Sequence, residues 1–293
     1  MTHTRPTERE AVTAPNRAQA IARRRPVATF VLLAFAIGWP ALTAPAITGL
    51  PAEPFLLIFL YGALLGPALL VTRWANGPGA IRRLLSRTLL WRFGVGRWAV
   101  ILFGMPVLTI ALAAASGTLR EPEDGWLVAA GWYLFNTLIY GALLANLWEE
   151  TAWGGFVQSR LMARHGLLIG SLLTAPLFAA IHIPMQFEQG WTWSGVAVGL
   201  AVLFCLAPVY RYLLGMHLLD TGGSVLAIAV QHAAWNEAQK LDAVAAGRWD
   251  WQALVAVILL TLLIAVGRRL WHPQSHPIGR DAEQAAAARW TAP

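Results

Sequence analysis

Long apolar stretches constrain the fold of this chain more than any other feature of its sequence. Hydrophobic residues make up 57% of the 293 positions and charged residues only 13%, far from the balance of an average soluble domain. A membrane-spanning helix needs about 20 mainly apolar residues. Eight stretches approach or exceed that length: 27–50, 54–72, 98–116, 126–148, 167–185, 195–218, 224–240 and 251–267. The sequence therefore predicts an all-α, polytopic membrane helix bundle with about eight transmembrane helices.

The net charge of +7 indicates membrane topology rather than binding to nucleic acid. The arginines cluster at the ends of apolar stretches, at 23–25, 73–97 and 268–269, whereas the acidic residues of 121–124 fall at the opposite ends. Arginine-rich connections stay on the cytoplasmic side of membrane proteins. We therefore predict cytoplasmic termini, the lipid bilayer as a partner, and no nucleic-acid partner.

The polar ends of the chain differ in composition from its centre. Residues 1–26 and 272–293 are predicted to be flexible cytoplasmic tails, flanking a transmembrane bundle at 27–271 with a catalytic core at 126–240.

The single cysteine, Cys205, excludes a disulfide framework, which needs paired cysteines. One lysine beside 21 arginines, with abundant alanine, is typical of a GC-rich bacterial genome and favours a bacterial plasma membrane.

If the fourth stretch continues past Trp148 to an edge near Arg160, ionisable residues occur at membrane depth in three places: at Glu149 and Glu150, at His182 and at His232. Such residues are costly in a membrane, so they usually pair with one another or mark a functional site. Counted from the predicted cytoplasmic edges at the usual helical rise, Glu149, His182 and His232 lie about 16, 22 and 12 Å deep. Asn236 shares a helix face with His232, whereas adjacent glutamates diverge by about 100°. We therefore predict one site, towards which only one of the two carboxylates points squarely.

These residues resemble the CAAX-protease and bacteriocin-processing family of intramembrane endopeptidases, which includes the Rce-type prenyl-protein protease. The family pattern is Glu-Glu-x-x-x-Arg, then Phe-x-x-x-His, then His-x-x-x-Asn. Its glutamates correspond to Glu149 and Glu150, and its other two motifs read here as Phe178 with His182 and His232 with Asn236.

The resemblance implies hydrolysis of a peptide bond near the cytoplasmic leaflet, in a peptide or protein substrate at the membrane. Glu149 with His182 would activate water, and His232 with Asn236 would stabilise the oxyanion. Phe178 would form the wall beside His182, although ordinary helix packing explains it equally well.

The resemblance leaves the cofactor open between none and zinc. Glu149, His182 and His232 could hold Zn²⁺ with one open position, as in catalytic zinc sites. No His-Glu-x-x-His motif is present, which slightly favours the metal-free mechanism.

One position departs from the family pattern, because Gly154 stands where the motif has arginine. Without that cation, Glu150 must be protonated or find another partner. Arg211 is the only arginine or lysine that lies within an apolar stretch rather than at its end. We therefore predict that Arg211 supports Glu150, although a long arginine side chain could instead extend to the lipid headgroups.

Two other functions are compatible with the same residues. The Gly154 departure favours a bacteriocin self-immunity or scaffold protein that keeps the fold and has lost catalysis. A buried glutamate could also relay protons in a secondary transporter.

Overall fold

A computed structural model describes residues 17–187, 191–241, 251–270 and 279–292. No β-strand occurs in these residues, which confirms the predicted all-α helix bundle. The helices are α1 (Arg17–Arg24), α2 (Pro26–Thr48), α3 (Glu53–Asn76), α4 (Gly79–Ser86), α5 (Val95–Ala115), α6 (Gly125–Ile181), α7 (Trp193–Asp220), α8 (Val225–Ala238), α9 (Trp251–Leu270) and α10 (Arg280–Thr291).

Six of the helices in the described residues are long and apolar enough to cross a membrane: α2, α3, α5, α6, α7 and α9. The difference from the eight predicted stretches has two sources. Helix α6 is 57 residues long and contains two of the predicted stretches. Helix α8 has only 14 residues, fewer than the roughly 20 that span the hydrocarbon core.

Helix α6 folds back on itself at Gly166, where the backbone has a φ of 79° and a ψ of 177°. A residue with a side chain rarely adopts a positive φ, so glycine suits this turn. Glu149 and His182 lie at nearly equal distances from Gly166, about 25 Å along each arm at the usual helical rise. Because their side chains are in contact, the two arms must run antiparallel.

The surface and the interior have the reverse of the composition found in soluble proteins. Large apolar side chains such as Val95 and Leu127 are among the most exposed in the described chain, at 85% and 88%. By contrast, Glu150, Gln158 and Arg211 are fully buried. An apolar exterior around a polar interior fits a lipid environment, in which buried charges must be satisfied within the protein.

Two helices lie within the terminal segments that the sequence predicted to be flexible tails. Helix α1 packs against α3 and buries Ala22 completely, while residues 1–16 lie outside the described chain. Helix α10 packs against α6 around its turn, and Ala286 and Ala287 are buried. The carboxylate of Glu283 accepts a hydrogen bond from the backbone N–H of Leu167, just after the turn, at 2.9 Å.

Candidate active site

The two glutamates lie in the first arm of α6, between segments wound more loosely than an α-helix. Residues Asn136–Asn146 and Thr151–Gln158 are π-helical, and the short α-helical segment Leu147–Glu150 separates them. π-Helical turns are rare and frequently occur at functional sites. The adjacent carboxylates point in different directions, and each contacts a different histidine, whereas the sequence predicted that only one of them would face the histidines.

Glu149 pairs with His182, which lies directly after the second arm of α6. The distance from Glu149 Oε1 to His182 Nε2 is 3.5 Å. The other ring nitrogen, Nδ1, lies 2.7 Å from the backbone carbonyl oxygen of Phe178. A carbonyl can only accept, so Nδ1 carries a proton and Nε2 faces the carboxylate. The helix ends at this point, two residues before Pro184, which cannot extend it.

Glu150 binds both Arg211 and His232 in the fully buried interior. Its Oε1 atom lies 2.9 Å from Arg211 Nη1 and 2.9 Å from His232 Nδ1, and Oε2 lies 3.1 Å from Arg211 Nη1. The Arg211 guanidinium therefore points into the bundle rather than towards the headgroups. The predicted contact between Arg211 and Glu150 is present.

The position of Gly154 explains why this contact is possible. A Cβ atom at residue 154 would lie 2.1 Å from Ile228 Cδ1, 2.9 Å from Glu150 Oε2 and 3.6 Å from Arg211 Nη2. The space beside Glu150 is therefore filled by side chains from α7 and α8. The departure from the family motif thus coincides with an arginine supplied from another helix.

Gln158 completes the surroundings of Arg211 and was not predicted from the sequence. Its Oε1 accepts hydrogen bonds from Arg211 Nε at 2.9 Å and Nη2 at 2.5 Å. Its Nε2 donates to the Arg211 backbone carbonyl at 2.6 Å and to Ser171 Oγ at 3.1 Å. In a regular α-helix Gln158 would be turned about 80° from Glu150. Both side chains nevertheless contact Arg211, across the π-helical segment between them.

A glycine turn sets the position of His232 on α8. Gly222 and Gly223 have φ values of 67° and 89°, which favour glycine at both positions. Ser224 then caps α8, accepting a hydrogen bond from the Ala227 N–H at 3.0 Å. His232 follows two turns later.

Arg87, in the short helical turn after α4, ties this glycine turn to α6. It donates hydrogen bonds to the carbonyls of Gly223 at 2.7 Å and Gly155 at 2.9 Å, and to Ser159 Oγ at 3.1 Å. Burial and, to a smaller extent, the charge of Arg160 lower the pKa of Arg87 to about 9. The contacts join the helix of the glutamates to the helix of His232.

Phe178 lies between the two histidines. Its ring centroid is 4.7 Å from that of His182 and 6.1 Å from that of His232. The Arg211 guanidinium carbon lies 5.1 Å from the same centroid. Phe178 is therefore adjacent to both histidines and to Arg211, a position compatible both with a wall beside His182 and with ordinary helix packing.

The described contacts do not include Asn236 in this network. It lies one turn after His232 on the same face of α8 and is half-buried. Within the part of the chain that the structure describes, its amide makes no hydrogen bond. The amide is therefore available to a bound group.

The proposed zinc ligands do not form a set of three. No group of three His, Cys, Asp or Glu side chains suited to a metal ion occurs in the described residues. Glu149 and His182 lie together, but His232 directs Nδ1 to Glu150 instead. These side chains therefore do not form the three-ligand zinc site considered from the sequence, and the proposed reaction proceeds without a metal.

An apolar groove is lined in part by Pro184, two residues after His182. It has a volume of about 270 Å³, and its lining includes Leu42 and Pro45 of α2, Phe55 of α3, and Pro184. The side chain of His182 is 18% exposed and that of Glu149 is 9% exposed, whereas that of Glu150 is fully buried. The Glu149 pair is therefore the more accessible part of the site.

Part of the chain is similar to a known protein family. Residues 130–238 match the model of the family described as type II CAAX prenyl endopeptidase Rce1-like. These residues form the Rce1-like region of the chain. No curated protein matches the chain significantly.

The Rce1-like region includes the arms of α6 together with α7 and α8, and so contains every residue of the network around the two glutamates. At the level of the family, the match supports a CAAX-type protease embedded in a membrane. Two residues that the sequence motifs did not identify, Gln158 and Tyr210, also lie within the Rce1-like region. Gln158 lies between the apolar stretches 126–148 and 167–185, so no signal in the sequence pointed to it, whereas the neighbouring Arg211 was the signal for Tyr210.

Proposed function

We propose that this chain is an intramembrane endopeptidase that cleaves a peptide or protein substrate at the membrane. The observation that carries the proposal is the pair of buried glutamates, each in contact with its own histidine, within the Rce1-like region. General-base catalysis requires an acceptor within reach of a water molecule. Glu149 and His182 offer such a position at the accessible side of the site.

Glu149 is the proposed base. It accepts a proton from water as the water oxygen bonds to the peptide carbonyl carbon, and the carbonyl oxygen gains the negative charge. The same proton then passes to the amide nitrogen as the C–N bond breaks, which yields a carboxylic acid and an amine. His182 orients the carboxylate and the water through its Nε2 atom.

His232 and Asn236 are proposed to stabilise the oxyanion. Glu150 holds His232 through Nδ1, which leaves Nε2 for the substrate, much as a buried carboxylate orients a catalytic histidine. Arg211 and Gln158 act on the reaction indirectly, because Arg211 binds Glu150 and Gln158 holds the guanidinium in place. They are positioning residues.

The test compares the wild-type protein with Glu149→Gln, which keeps the shape and removes the basic oxygen. We expect the variant to lose nearly all peptide cleavage in proteoliposomes, by at least about 100-fold, because an amide cannot take the proton. Metal content measured on the same samples tests zinc dependence. Cleavage by folded Glu149→Gln at the wild-type rate would show that Glu149 is not the base.

A second candidate is a bacteriocin self-immunity or scaffold protein without catalysis. The absence of the motif arginine at Gly154 is the observation that favours it, although Arg211 contacts the same carboxylate. A scaffold would still protect cells when it carries Glu149→Gln, whereas a protease would not. Proton-coupled uptake into liposomes, lost in the same variant, would instead support a transporter.

A further inference from the structure

Tyr210, the residue before Arg211 on α7, lies within the candidate active site. Its ring centroid is 5.2 Å from that of His232, 4.2 Å from that of Trp235 and 6.1 Å from that of Phe178. The side chain is fully buried. The tyrosine thus lies beside the proposed oxyanion-stabilising histidine, on the helix that also holds Glu150 in place.

Several hydrogen-bonding groups around this ring have no hydrogen-bond partner. Buried phenol hydroxyls and indole N–H groups usually have a partner, and leaving one without a partner is unfavourable. Among the described residues, neither Tyr210 Oη nor Trp235 Nε1 has one. Glu149 Oε1 is likewise buried without a hydrogen bond.

These three atoms have complementary chemistry. Glu149 Oε1 is an acceptor, as a base needs, and the phenol and the indole are donors, as a carbonyl oxygen that gains negative charge needs. Packing alone accounts for the rings, but it does not account for a buried phenol donor beside His232 with a buried indole donor beside the same phenol ring. A phenylalanine would fill the same space as Tyr210 without the cost of an unsatisfied hydroxyl.

We propose that Tyr210 is a further catalytic residue, whose hydroxyl donates a hydrogen bond to the carbonyl oxygen of the scissile peptide bond. The bond strengthens as that oxygen becomes the oxyanion, and the phenol keeps its proton throughout. Trp235 Nε1 is the second donor of the same kind. The inference rests on the proposed peptidase function and adds to it a donor set that reaches the substrate from α7 as well as α8.

The test uses Tyr210→Phe, which removes one oxygen atom, with Tyr212→Phe as the matched control. Tyr212 lies on the same helix two residues later and is half-buried against the hydrophobic core. The probes are a quenched, farnesylated CAAX peptide and its non-prenylated counterpart, assayed in proteoliposomes. We expect Tyr210→Phe to lower kcat about 100-fold with little change in KM, as for removal of an oxyanion donor. Tyr212→Phe should behave as wild type.

Binding and stability give independent readouts. Tyr210→Phe should bind a phosphonate analogue of the tetrahedral intermediate more weakly than wild type does, and the uncleaved peptide equally well in a Glu149→Gln background. Its thermal stability should be unchanged or higher, because an unsatisfied hydroxyl is lost.

Three results would overturn the inference. Wild-type kcat in Tyr210→Phe, with Glu149→Gln inactive, would contradict it and leave the proposed function standing. A marked loss of stability in Tyr210→Phe would show that the hydroxyl is structural. A wild-type protein that cuts neither peptide would contradict the proposed function itself, and the inference with it.

Discussion

At the scale of single residues, the pairing of Glu150 with Arg211 determines how the site is held together. Both side chains are fully buried, and the guanidinium is shared between a carboxylate of α6 and the amide of Gln158. A buried ion pair recovers its desolvation cost only when the remaining donors and acceptors are also satisfied. Gln158 meets that condition for Arg211, and His232 meets it for Glu150.

Removal of Arg211 should therefore cost far more than removal of an arginine at a helix end. Arg211→Ala leaves the Glu150 carboxylate buried without a cation, which typically costs about 3–5 kcal/mol. Arg211→Lys should recover only part of this, because an ammonium cannot match the geometry of a guanidinium bound to two residues. Thermal unfolding in detergent measures both variants.

Arg73→Ala is the control for this comparison, because Arg73 is exposed near the end of α3. We expect its midpoint of unfolding to remain close to that of wild type. Equal losses for Arg211→Ala and Arg73→Ala would contradict a structural role for the buried pair.

The sequence indicated Arg211 but not Gln158, and the reason is physical. A cation within an apolar stretch has few stable environments, so its partner could be sought among the unpaired carboxylates. An amide has many possible partners. The face on which Gln158 lies depends on a π-helical segment that regular helical periodicity does not predict. The contact between Glu150 and His232, rather than Glu149 and His232, likewise depends on helix rotations that the spacing of motifs leaves open.

At the scale of elements, α10 packs against the end of the bundle where α6 turns and stabilises it. Its Trp290 ring fills the space beside Gly223, where a Cβ atom would lie 2.7 Å from ring atoms. The Arg87 guanidinium carbon lies 5.0 Å from the centroid of the same ring, within the range of a cation–π contact. Helix α10 thus supports the turn from which α8 and His232 begin.

Loss of this ring should loosen α8 at its first turn. Trp290→Ala removes a half-buried ring and a cation–π contact, and we expect a loss of about 1–3 kcal/mol, below that of a fully buried tryptophan. Hydrogen–deuterium exchange should increase at residues 221–232. Trp91→Ala is the control, because Trp91 is 57% exposed beside Arg92. Increased exchange at 221–232 in both variants would contradict a specific stabilisation of α8 by Trp290.

The sequence did not predict α10, because its alanines and charges resemble those of many solvated segments. What makes it dock is a tertiary feature, the backbone N–H groups exposed where α6 resumes after Gly166. Glu283 accepts a hydrogen bond from one of them. Such a contact exists only once the turn at Gly166 has formed, so no local sequence pattern predicts it.

At the scale of the whole molecule, the apolar stretches predicted most of the described helices to within a few residues. The orientation remains a prediction from the positive-inside rule. Single cysteines in a Cys205→Ser background can test it. Arg82→Cys should react with a membrane-impermeant maleimide only after cells are permeabilised, whereas Glu123→Cys should react in intact cells. Both residues are exposed, so the reverse pattern would mean that the bundle is inverted.

The absence of a side chain at Gly154 has a consequence for how such sequences diverge. An arginine at 154 together with Arg211 would crowd one carboxylate with two cations, and a chain with neither would leave Glu150 bare. Substitutions at the two positions are therefore coupled, because either one made alone gives a protein in which Glu150 has two cations or none. A search for relatives should accordingly require an arginine close to this carboxylate in space. A sequence pattern that requires the arginine four residues after the second glutamate rejects every protein in which another helix supplies it.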